Sequence, residues 1–305
     1  MKDNQCFKGV MTALATPLDK DGNVDPAVVA DLVEFQLGSG IGGFYLCGGT
    51  GEGVVLSPEN RMKMVEAAVA ANRGRGKIIV QTGAIRPDEA FLLAEHAARC
   101  KADGISSVPP SLYYQYTEAE TVDYYRELAR HAASLPVLIY RTPAFSVGGM
   151  VSLMEKLLCI ENIVGLKYTG SSYYEMWKLL QLNSGNINVI NGADETLLCG
   201  LVTGAQGGIG AVYNLIPEEF AALYRAFAAG DLKEAQRRQQ GICRCIAGLG
   251  KFIRGAGIIL PVKVLLNEMG FRVGNPAYPC QPYPEETREQ LIANFKELKA
   301  SLNCG

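Results

Sequence analysis

The chain has 305 residues, 48% of them hydrophobic, and its 29 lysines and arginines nearly balance 31 aspartates and glutamates, for a formal net charge of -2. That composition is enough to bury a large core, and the balanced charge argues against nucleic acid as a main partner. No apolar stretch is long enough to span a bilayer, and the first four residues do not begin a signal peptide. We therefore expect a cytoplasmic protein without a membrane partner.

The cysteines and histidines do not suggest a metal centre. The nine cysteines include no CxxC pair, and Cys243 and Cys245 form a CxC on a predicted helix with no histidine nearby. We expect the cysteines to be small, buried hydrophobic residues in a reducing cytoplasm. The only histidines, His96 and His131, lie on predicted outer helices and are expected at the surface. Catalytic schemes that depend on histidine therefore lack a key part.

Apolar runs and helical patterns alternate along the first 230 residues. Strands are predicted at 10–15, 43–47, 78–82, 104–108, 137–140, 163–167, 187–190 and 207–210. Helices are predicted at 26–37, 58–72, 87–100, 118–133, 152–159, 173–182, 195–203 and 217–229. Such alternation indicates an α/β protein with a parallel sheet, and eight units close most naturally into a (β/α)8 TIM barrel.

Three further helices are predicted at 232–252, 258–269 and 284–302. They are too few for a second core, so we expect residues 231–305 to form a C-terminal three-helix appendage packed on a barrel of residues 1–230. In such barrels the chemistry lies at the carboxyl ends of the strands. The polar and glycine-rich residues at these ends converge on one lysine, Lys167.

Lys167 ends a predicted buried strand, residues 163–167. An ammonium at the tip of an apolar strand loses hydration, which favours the neutral, nucleophilic amine. A neutral amine beside a ketone is what Schiff-base catalysis requires. From this stretch alone the alternative is an ordinary solvated lysine, and the other strand ends favour the catalytic interpretation.

Three other strand ends could serve such a lysine. The loop Gly48-Gly49-Thr50-Gly51-Glu52-Gly53 offers amides and a hydroxyl that could hold a carboxylate or phosphate, or could be a plain turn. Tyr140 ends the strand before that of Lys167, so a phenol should lie beside the amine and could relay protons. Asp194 and Glu195 follow Gly192 and could bind substrate hydroxyls, cap their own helix, or do both.

These residues resemble the pyruvate-dependent class I aldolases, the family typified by N-acetylneuraminate lyase and dihydrodipicolinate synthase. The resemblance extends from residue 9 to about residue 269 and includes the appendage. Its motifs, in this order at the strand ends, are Gly48-Gly49-Thr50-Gly51-Glu52, Tyr140-Arg141-Thr142-Pro143, Gly165-Leu166-Lys167-Tyr168-Thr169, Gly192-Ala193-Asp194-Glu195 and Gly207-Gly208-Ile209-Gly210.

The resemblance implies a homotetramer of barrels in which Lys167 forms a Schiff base with pyruvate. It implies that Thr50 and the amides around it, including that of Gly49, hold the pyruvate carboxylate. Tyr140 would be the acid–base relay, and Ile209 would line the pyruvate pocket. No metal or organic cofactor would be needed. One tyrosine of the pair Tyr113 and Tyr114 would reach into a neighbouring subunit's site to support the relay.

Within the family the turn at Gly192, Asp194 and Glu195 is similar to that of the sialic acid lyases, where the acidic pair recognises sugar hydroxyls. Phe145 stands where the synthase usually has an arginine, which argues against the synthase. Gly49 replaces a usual serine or threonine, and Ala211 a usual serine. A 2-keto-3-deoxy sugar acid aldolase or dehydratase therefore stays open. Arg141 could hold a second anionic group, and a barrel that only binds ligand is the non-enzymatic alternative.

Overall fold

The computed structural model describes residues 3–110, 114–142 and 149–302. Within them, eight parallel strands form a closed barrel in sequence order, with the last strand paired to the first. The strands are β1 (Gly9–Ala13), β2 (Gly43–Leu46), β3 (Lys77–Gln81), β4 (Gly104–Ser107), β5 (Val137–Arg141), β6 (Ile163–Tyr168), β7 (Asn188–Asn191) and β8 (Gly207–Gly210).

A helix follows each strand and packs on the outside of the barrel. These helices are α1 (Pro26–Gly38), α2 (Pro58–Asn72), α3 (Pro87–Arg99), α4 (Glu118–His131), α5 (Met150–Leu157), α6 (Tyr173–Leu180), α7 (Leu197–Thr203) and α8 (Pro217–Ala228). The appendage adds α9 (Leu232–Gly250), α10 (Ile259–Glu268) and α11 (Glu285–Leu302). The predicted (β/α)8 barrel with a C-terminal helical appendage is confirmed, and the division at residue 230 stays a prediction. No helix within the described ranges is both long and apolar enough to cross a membrane.

The core has two layers because side chains alternate along each strand. Inward-facing residues fill the barrel, among them Met11, Tyr45, Leu138 and Ile190. Outward-facing residues of the same strands pack against the helices in a larger continuous core. The filled interior leaves the strand ends as the place where polar side chains can meet.

A β-bulge in β6 directs Lys167 into the barrel. The pairing of β5 with β6 shifts in register and leaves Val164 as an extra residue. Val164 and Lys167 therefore both face inward although they are three residues apart, while Leu166 packs in the outer core. Strict alternation would have put Val164 and Lys167 on opposite faces. Gly165 makes the bulge possible, since a Cβ there would lie 1.9 Å from the carbonyl oxygen of Asn188.

The expected surface position of His96 is wrong. Its side chain is only 8% exposed, and its Nε2 lies 2.9 Å from Oε1 of Glu66 on α2. His131 is half-buried and stacks on Phe91 with ring centroids 4.8 Å apart. Polar residue type alone did not reveal which face of α3 packs against α2. Neither histidine lines the cavity at the strand ends.

Candidate active site

A cavity of about 550 Å³ lies at the carboxyl ends of the strands. Eight of the residues predicted for the site line it together: Gly49, Thr50, Tyr140, Lys167, Gly192, Asp194, Glu195 and Ile209. The loops after β2 and β7 and the carboxyl-terminal parts of β5, β6 and β8 supply them. The strand-end rule therefore located the cavity.

Lys167 is buried between two aromatic rings in this cavity. Its Nζ lies 4.0 Å from the ring centroid of Tyr140 and 4.7 Å from that of Tyr45. Tyr140 and Lys167 are opposite each other in the pairing of β5 with β6, as predicted for neighbouring strand tips. Tyr45 comes from β2 and donates its hydroxyl hydrogen to Oγ of Ser106 at 3.1 Å. The rings fix the amine while leaving it open to the cavity.

The pKa of the Tyr140 phenol is lowered from its usual 10.0. Burial alone would raise this pKa, but the positive charge of the Lys167 amine close to the phenol lowers it by more. A phenol with a lowered pKa gives up its proton more readily near neutral pH. Tyr140 is therefore suited to exchange protons with a group bound at Lys167.

The loop after β2 forms a cradle of backbone amides. Glu52 and Gly53 donate their amide hydrogens back to Gly49 and Gly48, which folds the loop on itself. With the described residues, the amides of Thr50 and Gly51 make no hydrogen bond. Free amides and a hydroxyl in one turn are suited to a small carboxylate.

Asp194 does not cap its own helix. Its Oδ2 accepts hydrogen bonds from the amides of Ala211 at 3.1 Å and Val212 at 2.8 Å, just after β8. Gly210 leaves space for it, since a Cβ there would lie 1.6 Å from Oδ1 of Asp194. Burial raises the pKa of Asp194 to about 6, with the neighbouring Glu195 adding to the rise. The capping interpretation is therefore wrong for Asp194, which links the ends of β7 and β8.

Thr169 is a cavity residue to which no role was assigned from the sequence. Its hydroxyl is buried without a hydrogen-bond partner of normal geometry among the described residues. A Cβ at Gly192 would lie 2.0 Å from this hydroxyl, so the glycine makes room for it. Alternation beyond Lys167 could have found Thr169, because residues two apart on a strand share a face.

The appendage supplies one wall of the cavity, which no sequence motif indicated. Ile246 of α9, Ile253 in the segment after it, and Ile258 and Ile259 at the start of α10 all line the cavity. These residues are apolar and carry no motif. Only the way the appendage packs on the barrel brings them to the strand ends.

Tyr114 and Arg141, which were also named from the sequence, do not line this cavity. Tyr114 is 71% exposed and does not line the cavity of its own chain. Tyr113 and Phe145 lie outside the described residues. Arg141 donates to the Thr169 carbonyl at 3.2 Å and is not among the described residues that line the cavity.

Glu66, His96 and Cys100 form the one cluster within the described ranges whose donor atoms could converge on a metal ion. The cluster lies on the outer helices α2 and α3, and none of its members lines the cavity. Cys100 Sγ is 3.5 Å from Nε2 and 3.8 Å from Nδ1 of His96. Because these two distances are nearly equal, the sulfur lies beside the imidazole ring. A metal ion bound to Nε2 would instead lie along the lone-pair direction of that nitrogen, in the plane of the ring.

The buried amine of Lys167 beside the phenol of Tyr140 can carry out Schiff-base chemistry, and the comparisons with known proteins identify the chain as an enzyme, a pyruvate-dependent carbon–carbon lyase. The dihydrodipicolinate synthetase family model matches residues 6–298. The chain belongs to that family.

The relatives and solved structures agree with this assignment. The chain is 35% identical over 294 residues to the N-acetylneuraminate lyase of Rhizobium meliloti (strain 1021), which covers 96% of this chain and 95% of the relative. It is 33% identical over 296 residues to that of Escherichia coli (strain SMS-3-5 / SECEC), covering 96% and 97%. The structure of Proteus mirabilis N-acetylneuraminate lyase superposes with a TM-score of 0.89 at 27% identity, covering 96% of this chain and 98% of the other.

Proposed function

We propose that this enzyme cleaves N-acetylneuraminate to N-acetylmannosamine and pyruvate through a Schiff base on Lys167. The observation that carries the proposal is the buried Nζ of Lys167, 4.0 Å from the ring of Tyr140, in a cavity that also contains the Thr50 loop. The relatives at 35% and 33% identity, both N-acetylneuraminate lyases, support the choice of substrate.

The chemistry begins with attack of the neutral Lys167 amine on the C2 ketone of the open-chain sugar acid. The Tyr140 phenol gives its proton to the departing hydroxyl, so that water leaves and a protonated imine remains beside the Tyr140 phenolate. The resulting iminium withdraws electrons from C3. Tyr140, as phenolate, takes the proton of the C4 hydroxyl, so the C3–C4 bond breaks, C4 leaves as the aldehyde and the electron pair forms an enamine. Protonation at C3 gives the pyruvate imine, and water releases pyruvate and the free amine.

Each wall of the cavity has a role in this proposal. The free amides of Thr50 and Gly51 hold the substrate carboxylate, and Ile209 packs against its three-carbon end. Asp194 and Glu195 accept hydrogen bonds from the hydroxyls of the sugar chain. The substrate is then held on both sides of its ketone, by its carboxylate and by its hydroxyls, and these contacts align the ketone with Lys167.

A 2-keto-3-deoxy sugar acid aldolase or dehydratase is the second candidate, and Gly49 favours it. Gly49 has no side chain to add a hydroxyl to the carboxylate cradle, and the space where its Cβ would be is open within 4 Å. That space lets a differently substituted sugar acid enter the same site.

We also propose a homotetramer in which Tyr113 or Tyr114 reaches a neighbouring subunit's cavity. The 71% exposure of Tyr114 is compatible with such a contact. The eight described cysteines are free thiols, which supports the cytoplasm as the place of action. Only Cys47 and Cys245 are buried, so the expectation of buried cysteines is wrong for the other six.

A substrate comparison tests the proposal. Pyruvate release is measured from N-acetylneuraminate and from 2-keto-3-deoxygluconate, and pyruvate consumption is measured with aspartate semialdehyde. We expect the highest kcat/KM for N-acetylneuraminate and loss of turnover in Lys167→Ala. A higher kcat/KM for either of the other two substrates would refute N-acetylneuraminate as the main substrate. Turnover by Lys167→Ala would refute the Schiff-base mechanism.

A further inference from the structure

A buried ion pair joins the loop after β2 to the appendage. Nζ of Lys263 on α10 lies 2.6 Å from Oε1 of Glu52, and the two side chains are 0% and 3% exposed. The other polar atoms of the pair are also used: Oε2 of Glu52 accepts the amide hydrogen of Ala277 at 2.6 Å, and Lys263 donates to the Asn275 carbonyl at 3.0 Å. Neither charged residue lines the cavity.

Stability alone does not account for a pair of this kind. Removing two charges from water opposes folding, and apolar residues of similar volume often stabilise such a site as well or better. What an ion pair adds is a fixed distance and direction between the two segments that carry it.

Glu52 belongs to the loop that holds the substrate carboxylate in the proposed function. It is two residues from Thr50, and its amide hydrogen is donated to Gly49. Cys47 and Glu52 both have a left-handed backbone, with φ of 55° and 58°, which non-glycine residues adopt only when the surrounding structure holds them. A shift of the Glu52 side chain therefore moves the amides of the cradle.

Lys263 belongs to the other wall. It is one helical turn after Ile259, so the two residues lie on the same face of α10, and Ile259 lines the cavity. The pair thus connects the cradle and the appendage wall into one unit.

We propose that Glu52 and Lys263 are positioning residues: their ion pair sets the carboxylate cradle at the distance from Lys167 that Schiff-base formation needs. This inference rests on the proposed function. It extends the site to two residues that touch no substrate.

The test measures how much pyruvate is needed for borohydride trapping on Lys167, read by intact mass and peptide map. The double variant Glu52→Gln/Lys263→Met removes both charges at nearly constant volume, so its melting temperature should stay near that of the parent. We expect the half-saturating pyruvate concentration to rise about tenfold or more, because displacement of a binding group by a fraction of an ångström has effects of this order. The adduct at saturating pyruvate should still map to Lys167.

In a second variant, Glu52→Asp, a carboxylate still balances the charge of Lys263, but the side chain is one methylene shorter. This variant should also raise the half-saturating pyruvate concentration. The matched control is Glu219→Gln/Arg238→Met, which removes an ion pair of 2.9 Å between α8 and α9, together with the contact of Arg238 to Glu234. Neither helix carries residues of the cradle. An unchanged half-saturation in both Glu52 variants, or an equal rise in the control, would overturn the positioning role. A parent that forms no adduct would instead refute the proposed function, and the pyruvate-binding role of the pair with it.

Discussion

Replacement of Asp194 by asparagine should make the protein more stable and less active. The pKa of this carboxyl rises from 3.8 to about 6, mainly through burial, so the ionised form is disfavoured in the fold. A folded-state pKa above the unfolded value means that stability falls as the pH rises from about 4 to about 6 and stays reduced above that. At about 1.4 kcal/mol per pKa unit, the penalty at pH 7.5 is about 3 kcal/mol.

Asparagine removes the charge and can still accept from the amides of Ala211 and Val212. We therefore expect Asp194→Asn to raise the free energy of unfolding by up to about 3 kcal/mol at pH 7.5, with the gain disappearing below about pH 4. Sugar-acid cleavage should fall because the carboxylate is lost, whereas pyruvate should still be trapped on Lys167.

Urea unfolding of parent and variant from pH 4 to pH 8 measures the difference. Glu195→Gln is the matched control, because Glu195 is exposed and its change should shift the free energy of unfolding by no more than about 0.5 kcal/mol. An Asp194→Asn variant that is less stable than the parent at pH 7.5, or a gain in stability equal at pH 4 and pH 7.5, would show that the ionised Asp194 carboxylate does not destabilise the fold.

Three further substitutions separate the parts of the site. Tyr140→Phe keeps the ring beside the amine and removes the hydroxyl that carries the proton. The kcat should fall about a hundredfold or more, while borohydride should still trap pyruvate on Lys167. Normal turnover would contradict the role of Tyr140 as a proton relay. Gly49→Ser adds a Cβ that meets nothing within 4 Å, so an unchanged melting temperature and a lower KM are expected in a steady-state assay; a large loss of stability would show that the space is not free. Gly165→Ala should destabilise the fold by about 3 kcal/mol in urea unfolding, since its Cβ would lie 1.9 Å from the Asn188 carbonyl oxygen; a stable variant would contradict the role of the bulge.

The barrel and the proximity of Tyr140 to Lys167 could be predicted from the sequence because both depend on local patterns. Alternating apolar strands and amphipathic helices define the barrel, and the strand-end rule then groups Tyr140 with Lys167. The bulge that aims Lys167 could not be read from alternation, since one extra residue reverses every later side chain of the strand. In the sequence, the one residue that indicates the bulge is Gly165, because a side chain at that position would clash with the neighbouring strand.

The rest depends on contacts between distant segments. Ile253 and Ile258 form a cavity wall only because the appendage folds over the strand ends, and no periodicity encodes that placement. The burial of His96 could not be predicted for the same reason, because it depends on how α3 packs against α2. Asp194 was open to two interpretations until the amides after β8 were located.

Borohydride reduction during turnover of N-acetylneuraminate shows directly whether Lys167 forms the Schiff base. Intact mass and a peptide map report which lysine is modified and by what. We expect a reduced pyruvate adduct on Lys167, which would mean that the sugar acid was bound and cleaved. An adduct on another lysine, or no adduct from either N-acetylneuraminate or pyruvate, would contradict the Schiff-base mechanism.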